Sequence, residues 1–292
     1  LPSAIVYLCE ILRTKLNTVE EVQKHISVPH VGTIPVKKSV NGRENPIVVE
    51  KNSNDYMAES FRALRTNLQF VMRKSSGKVV MFTSTTSGEG KTFIACNLAV
   101  STAMLGKKVL LMGLDIRRPR LAEMFKFNSK AEGFTSYLVA DEDEVGMLDR
   151  LILHSDIVEG FDILPAGIVP PNPAELLSGG NLERAIAYLS TKYDSIILDT
   201  APVGIVTDSL ILSRVADAVV YVVRLGHTHK YDLDFLGGLV SDGKLENVSV
   251  AVNGDEVESK GRYGYGRYGR YGRYGGYGYG GYGYTTDNNK KK

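Results

Sequence analysis

From Lys78 onward, apolar runs rich in β-formers alternate with helical stretches, and no other feature narrows the possible folds as far. The runs are Val79 to Thr83, Val109 to Leu114, Phe161 to Leu164, Ser195 to Leu198, Ala218 to Val223 and Val248 to Val252. Several are apolar throughout instead of alternating, the pattern of strands covered on both faces. Helices between such strands imply an α/β fold, a doubly wound and mostly parallel sheet with helices on both faces. Ligands of these sheets sit beyond the carboxyl ends of the strands. Chemistry is therefore expected just after each run.

The first run leads through Ser84-Thr85-Thr86-Ser87-Gly88-Glu89-Gly90-Lys91-Thr92 into a helical stretch, Phe93 to Leu105. A strand, a Gly-containing turn and a helix N-terminus offer an anion both backbone N–H groups and a favourable dipole. In such a phosphate-binding loop Lys91 reaches the β- and γ-phosphates of a nucleoside triphosphate, and the Thr92 hydroxyl serves magnesium. The strict pattern places Gly where Thr85 stands, so the loop departs from it at one position. Ser87, Gly88, Glu89, Gly90, Lys91, Thr92 and Phe93 are the expected nucleotide contacts. Gly264 to Gly269 also satisfies G-x-G-x-x-G, but within a repeat that has neither strand nor helix beside it.

Two carboxylates follow other runs: Asp115 in Gly113-Leu114-Asp115-Ile116-Arg117-Arg118-Pro119, and Asp199 in Asp199-Thr200-Ala201-Pro202. An acid at a strand end beside a phosphate loop is placed to bind magnesium or to take a proton from a nucleophile. Asp199 has the position of a Walker-B acid. Asp115 fits this role and also that of a cap for a helix beginning near Pro119. Lys91, Asp115 and Asp199 form the expected catalytic set, and Thr92, Asp115 and Asp199 the expected magnesium ligands.

Charge and cysteine usage restrict the partners. A formal charge of +2 is too near neutral to argue for nucleic acid, and none is expected as a partner of the whole chain. Cys9 and Cys96 form no Cys-x-x-Cys pair, and no histidine has a ligand-spaced neighbour. Neither disulfides nor zinc are indicated, and a reducing compartment fits. No apolar run reaches the roughly 18 residues of a membrane helix. Leu1 to Leu12, followed by Arg13 and Lys15, fits either the cytoplasmic exit of such a helix or a plain amphipathic helix. Glu142 to Glu144 and their neighbours read as a solvated acidic surface.

Residues 1–50 read as a juxtamembrane connector, with a short helical pattern from Thr18 to His25 and Pro punctuation between Val28 and Pro35. The main domain is expected over 51–260. It opens on a helix from Asp55 to Phe70 that carries Met57, Phe61, Leu64 and Leu68 at helical spacing behind an Asp cap. Residues 261–292 change abruptly to a Gly and Tyr repeat without apolar periodicity, which reads as a flexible tail because nothing offsets the entropy of ordering it. Its tyrosines are Tyr263, Tyr265, Tyr268, Tyr271, Tyr274, Tyr277, Tyr279, Tyr282 and Tyr284. Gly between them keeps each hydroxyl accessible, as a phosphoacceptor requires. Interleaved Arg262, Arg267, Arg270 and Arg273 also suit stacking on single-stranded nucleic acid, which stays open on the residues alone.

The order and spacing of these motifs resemble the branch of P-loop NTPases that holds the septum-site and partition ATPases and the bacterial tyrosine kinases. Gly88 to Thr92, Leu114 to Pro119, Pro170-Pro171-Asn172-Pro173-Ala174-Glu175-Leu176-Leu177 and the tyrosine-rich end resemble the tyrosine kinases of exopolysaccharide and capsule export. Partition ATPases carry a signature Lys where Thr86 stands here, which favours the kinase; a partition-type ATPase switch with the tail as a binding segment is the alternative. The resemblance implies a cytoplasmic autokinase that uses ATP and Mg2+, with Asp115 in the Walker A′ motif and Asn253 contacting the base. The family often has a second Asp where Gly113 stands, so Asp115 is left as the main carboxylate, either metal ligand or base. Glu59, Arg62 and Arg65 match the family's Glu-x-x-Arg-x-x-Arg motif, which implies an interface in a ring, octameric in the family. Also implied are the cytoplasmic face of a bacterial inner membrane, a membrane-embedded polysaccharide co-polymerase portion and a cognate tyrosine phosphatase.

Overall fold

The computed structural model describes residues 14–36, 46–50, 53, 55–72, 77–127, 132–140 and 145–256. Leu1 to Leu12, Glu142 to Glu144 and the tyrosines from Tyr263 to Tyr284 lie outside the described residues.

All six apolar runs are strands: β2 (Val79–Thr83), β3 (Val109–Leu114), β5 (Phe161–Leu164), β6 (Ser195–Thr200), β7 (Ala218–Arg224) and β8 (Val248–Asp255). With β1 (His30–Pro35) and β4 (Leu153–His154) they form an eight-stranded sheet in the order β1-β8-β7-β2-β6-β3-β5-β4. Every neighbouring pair is parallel except β4 with β5. Register aligns the carboxyl ends of the central strands: Phe82 stands opposite Asp199 and Val220, and Gly113 opposite Asp199.

Successive side chains of a strand point to opposite faces, and each face has its own core. Val80, Phe82, Leu111 and Ile197 pack beneath α2 (Tyr56–Met72) and α3 (Lys91–Ala103). Met81, Leu110, Met112, Ile196 and Leu198 pack on the other face with Leu182, Leu189, Leu212 and Leu236. These come from α8 (Asn181–Lys192), α9 (Asp208–Ser213) and α10 (Lys230–Ser241). Shorter helices complete the fold: α1 (Val19–His25), α4 (Leu121–Met124), α5 (Phe134–Leu138), α6 (Met147–Leu151) and α7 (Pro173–Ser178). Helix α2 starts as its sequence suggests, with Asp55 Oδ1 accepting from the Ala58 amide at 2.7 Å. It buries Phe61, Leu64 and Leu68, each such side chain contributing about 1.5–3 kcal/mol.

Among the described residues of the expected connector over 1–50 is a strand of the sheet. Leu16, Val22, Val31 and Ile34 are buried, and β1 pairs with β8 along the sheet edge. Its Gly and Pro read as loop punctuation but have structural reasons. A Cβ at Gly32 would stand 3.2 Å from Leu64 Cδ1, so glycine lets α2 settle on the strand, and an edge strand tolerates proline.

Candidate nucleotide site

The loop between β2 and α3 takes backbone conformations that suit glycine, with φ of 90° at Gly88 and 97° at Gly90. A Cβ at Gly90 would meet Asn253 Nδ2 at 2.1 Å. Three loop carbonyls are held by groups beyond the ends of neighbouring strands. Arg224 Nη1 donates to Gly88 O at 2.8 Å, Asn253 Nδ2 donates to Glu89 O at 2.9 Å, and His227 Nε2 lies 3.1 Å from Ser87 O. Protein donors thus neutralise these oxygens, which would otherwise repel an anion in the loop.

Glu89 is fully buried, its carboxylate accepting from the Thr86 amide at 2.8 Å and from the Thr228 hydroxyl. The side chain therefore braces the loop from within, and only the backbone of Glu89 is left for the nucleotide contact expected of it. Phe93 is similar: its ring meets Phe61 edge-on with centroids 5.9 Å apart, so the side chain belongs to the core. Thr85, standing where the strict motif has glycine, shares a hydrogen bond with the buried Tyr221 hydroxyl. Gly204 makes the space for it, since a Cβ there would be 2.5 Å from Thr85 O.

Lys91, Thr92, Asp115 and Asp199 converge at the mouth of this loop. Lys91 is buried, with Nζ donating to Ser84 Oγ at 3.0 Å; burial lowers its pKa, and Asp199, Glu89 and Asp115 oppose the shift. Asp199 is 3% exposed, and burial pushes its carboxyl up to about 7, although a hydrogen bond from Thr92 and the Lys91 charge pull the other way. Its Oδ1 is buried without a hydrogen-bond partner among the described residues. An unpartnered buried oxygen is costly, and beside the Thr92 hydroxyl it is the donor set a hard, oxygen-seeking cation takes. The residues fit magnesium. Asp115 sits between them: its amide donates to Asp199 O at 3.0 Å, and its Oδ1 accepts from the Arg118 amide at 3.0 Å. Helix α4 starts after Arg120, so Asp115 is not its cap. Burial raises the Asp115 carboxyl, against the Arg118 amide and Lys91. Gly113, Asp115, Arg120 and Asp199 line one small cleft together with Pro165, Ala166 and Gly167.

A family model described as an AAA domain matches residues 77–236. The chain is 35% identical over 208 residues to tyrosine-protein kinase YwqD of Bacillus subtilis (strain 168), covering 71% of this chain and 85% of the relative. The chain belongs to the bacterial tyrosine-protein kinase family. Another member, tyrosine-protein kinase ptk of Acinetobacter johnsonii, is 28% identical over 262 residues; the match takes in 87% of this chain but 34% of that longer protein. The solved kinase domain of Escherichia coli tyrosine kinase ETK superposes with a TM-score of 0.72 at 27% identity, over 86% of this chain and 99% of that one.

Against the family's interface motif, Glu59 and Arg62 form an ion pair with each other, and Arg62 Nη2 also donates to Ser53 O at 2.5 Å. Arg65 turns inward to α3, where Nη1 donates to the Ser101 carbonyl and to its Oγ at 3.2 Å. Glu59 stays more than half exposed. Asn253 is held at the loop, with its amide nitrogen donating to Glu89 O. Sequence reasoning missed Ser84, Arg120, Arg224, His227 and Thr228. The strand-end rule that picked Asp115 and Asp199 also applies to the end of β7 and would have indicated Arg224 to Thr228. No helix among the described residues is long and apolar enough to cross a membrane.

Proposed function

We propose that this chain transfers the γ-phosphoryl group of ATP to tyrosine hydroxyls of its own C-terminal segment, on a neighbouring copy in a ring. The observation that carries this is the convergence of Lys91, Thr92, Asp115 and Asp199 at one loop, in a chain that also holds a glycine-spaced tyrosine segment from Tyr263 to Tyr284. Phosphoryl transfer calls for placement and charge neutralisation more than covalent chemistry. The backbone from Ser87 to Thr92 and the Lys91 ammonium hold the phosphates. Thr92 and Asp199 hold magnesium, with Asp115 at their side; when bound, the ion neutralises charge on the β- and γ-phosphates. Asp115, whose raised carboxyl has gained basicity, takes the phenolic proton. Asn253 contacts the base of the nucleotide, as the family resemblance implies.

Glu59 and its ion-paired Arg62 supply the exposed side of the ring contact, and Arg65 fixes α2 to α3 beneath it. The ring is octameric, as the family resemblance implies, and presents each tail to the next active site. Every phosphate adds nearly two negative charges, so multiple phosphorylation reverses the basic character of the tail and loosens the ring. A membrane-embedded polysaccharide co-polymerase portion at the cytoplasmic face of the inner membrane is the structural partner, and a cognate tyrosine phosphatase resets the cycle. The ring's phosphorylation state then regulates polymerisation and export of exopolysaccharide or capsule.

Incubation with γ-labelled ATP and magnesium, followed by residue analysis, tests the reaction. Label on tyrosine supports it; release of inorganic phosphate without label supports a partition-type switch. Lys91→Met abolishes labelling, and persistent label sinks the assignment of the site. A variant with every tail tyrosine changed to Phe stays assembled when ATP and magnesium are added; its dissociation refutes the charge-reversal step.

A further inference from the structure

Lys91 approaches the phosphate site from the loop side and is buried against Ser84. The cleft beside Asp115 and Asp199 carries a second cation, the exposed Arg120. It lines that cleft together with Asp115 and Asp199, and its charge reaches Lys91, Asp115 and Asp199 alike. Two other cations nearby have structural duties: Arg117 is bonded to Asp208 and Arg224 to Gly88 O. Position 86, at the loop's start, holds an uncharged Thr whose hydroxyl lies 3.4 Å from His227 Nε2. At Gly113 a Cβ would stand 3.1 Å from Leu121 Cδ1 and 3.3 Å from the Ala166 amide nitrogen, so no third acid fits the cleft floor without displacement.

We propose that Arg120 is a catalytic residue in cis, donating hydrogen bonds to the equatorial oxygens of the γ-phosphoryl group during transfer. A bond forms between the tyrosine oxygen and the γ-phosphorus while the bond from phosphorus to the β,γ-bridging oxygen breaks. The electron pair leaves with ADP, and the phenolic proton goes to Asp115. Arg120 keeps its own protons and supplies fixed positive charge where negative charge spreads over three oxygens. Lysine provides charge without the planar fork and replaces it incompletely. The acceptor named here rests on the proposed tyrosine kinase activity; the cation's role in transfer does not.

The test compares the full chain with Arg120→Met and Arg120→Lys at saturating ATP and magnesium. Expected for Arg120→Met is a fall of about 100-fold or more in the initial rate of tyrosine labelling, with affinity for magnesium–ADP within about threefold of the parent, since ADP lacks the γ-phosphoryl group. Arg120→Lys keeps an intermediate rate and an unchanged melting temperature, which guards against misfolding of the methionine variant. Free guanidinium ion restores part of the rate to Arg120→Ala. Labelling by Arg120→Met within about threefold of the parent overturns the inference, as does an equal loss of ADP and ATP binding. If the parent labels no tyrosine, the acceptor reading falls. The same comparison is then made on release of inorganic phosphate, where an unchanged Arg120→Met rate overturns the role of Arg120.

Discussion

Arg117 grips Asp208 with a two-pronged ion pair, Nε to Oδ2 at 2.7 Å and Nη2 to Oδ1 at 3.0 Å, across 91 residues of sequence. The acid's side chain is 1% exposed while the arginine's is 39% exposed. The pair ties the turn that carries Asp115 to α9, the helix that follows Asp199, and so fixes the distance between the two acids. Arg117→Met leaves a buried carboxylate without its partner, at a cost of about 1–3 kcal/mol. Asp208→Asn keeps shape and hydrogen-bonding capacity and costs less. Thermal melts rank the two, and equal losses would show that the pairing itself is not what holds the turn.

Gly90→Ala places a methyl group where Asn253 Nδ2 now lies, at a backbone angle of 97° that a side chain rarely adopts. A nucleotide-binding titration is expected to show a loss of about tenfold or more, as a strain of 1–3 kcal/mol at the loop implies. Adding Asn253→Gly relieves the contact but not the angle. The double variant therefore recovers only part of the affinity, and full recovery would show that backbone angle plays no role.

Tyr221→Phe removes the hydroxyl that Thr85 shares inside the sheet. The group is fully buried, so Thr85 loses its partner at a cost of about 1–3 kcal/mol in unfolding free energy. Denaturant titration measures the change. Repeating it in a Thr85→Gly background, where no hydroxyl is left to satisfy, should give a much smaller effect.

His30 on β1 is part-buried, bonded to Gly32 O at 3.0 Å, and burial lowers its pKa from the ordinary 6.5. Below pH 6.5 the unfolded chain takes up a proton that the folded chain resists, so this group's contribution is full above that pH and is lost as pH falls through the lower folded value. Melting curves from pH 7.5 to 5.5 should fall more steeply for the parent than for His30→Gln. Parallel curves would remove His30 as the cause.

Six strands, the phosphate loop and both acids were legible in the sequence because each is a local pattern: a continuously apolar run, a glycine turn, a charge at the run's end. The strand β1 was not, since Gly32 and Pro35 owe their places to Leu64 above and to the sheet edge, which local propensity does not encode. Two-residue β4 is too short to show any period. The inward turn of Glu89 was equally hidden, because its partner Thr228 lies 139 residues away.

The sequence by itself determined which residues stand at strand ends, and with them the type of nucleotide site, since a parallel strand delivers whatever follows it to one edge of the sheet. Only the tertiary structure decided the order of strands. Setting β7 beside β2 and β8 beside β7 brings Arg224, His227, Thr228 and Asn253 onto the loop of Lys91. That order follows from how two cores close on either face of the sheet at once, a sum over many weak contacts that no single segment carries.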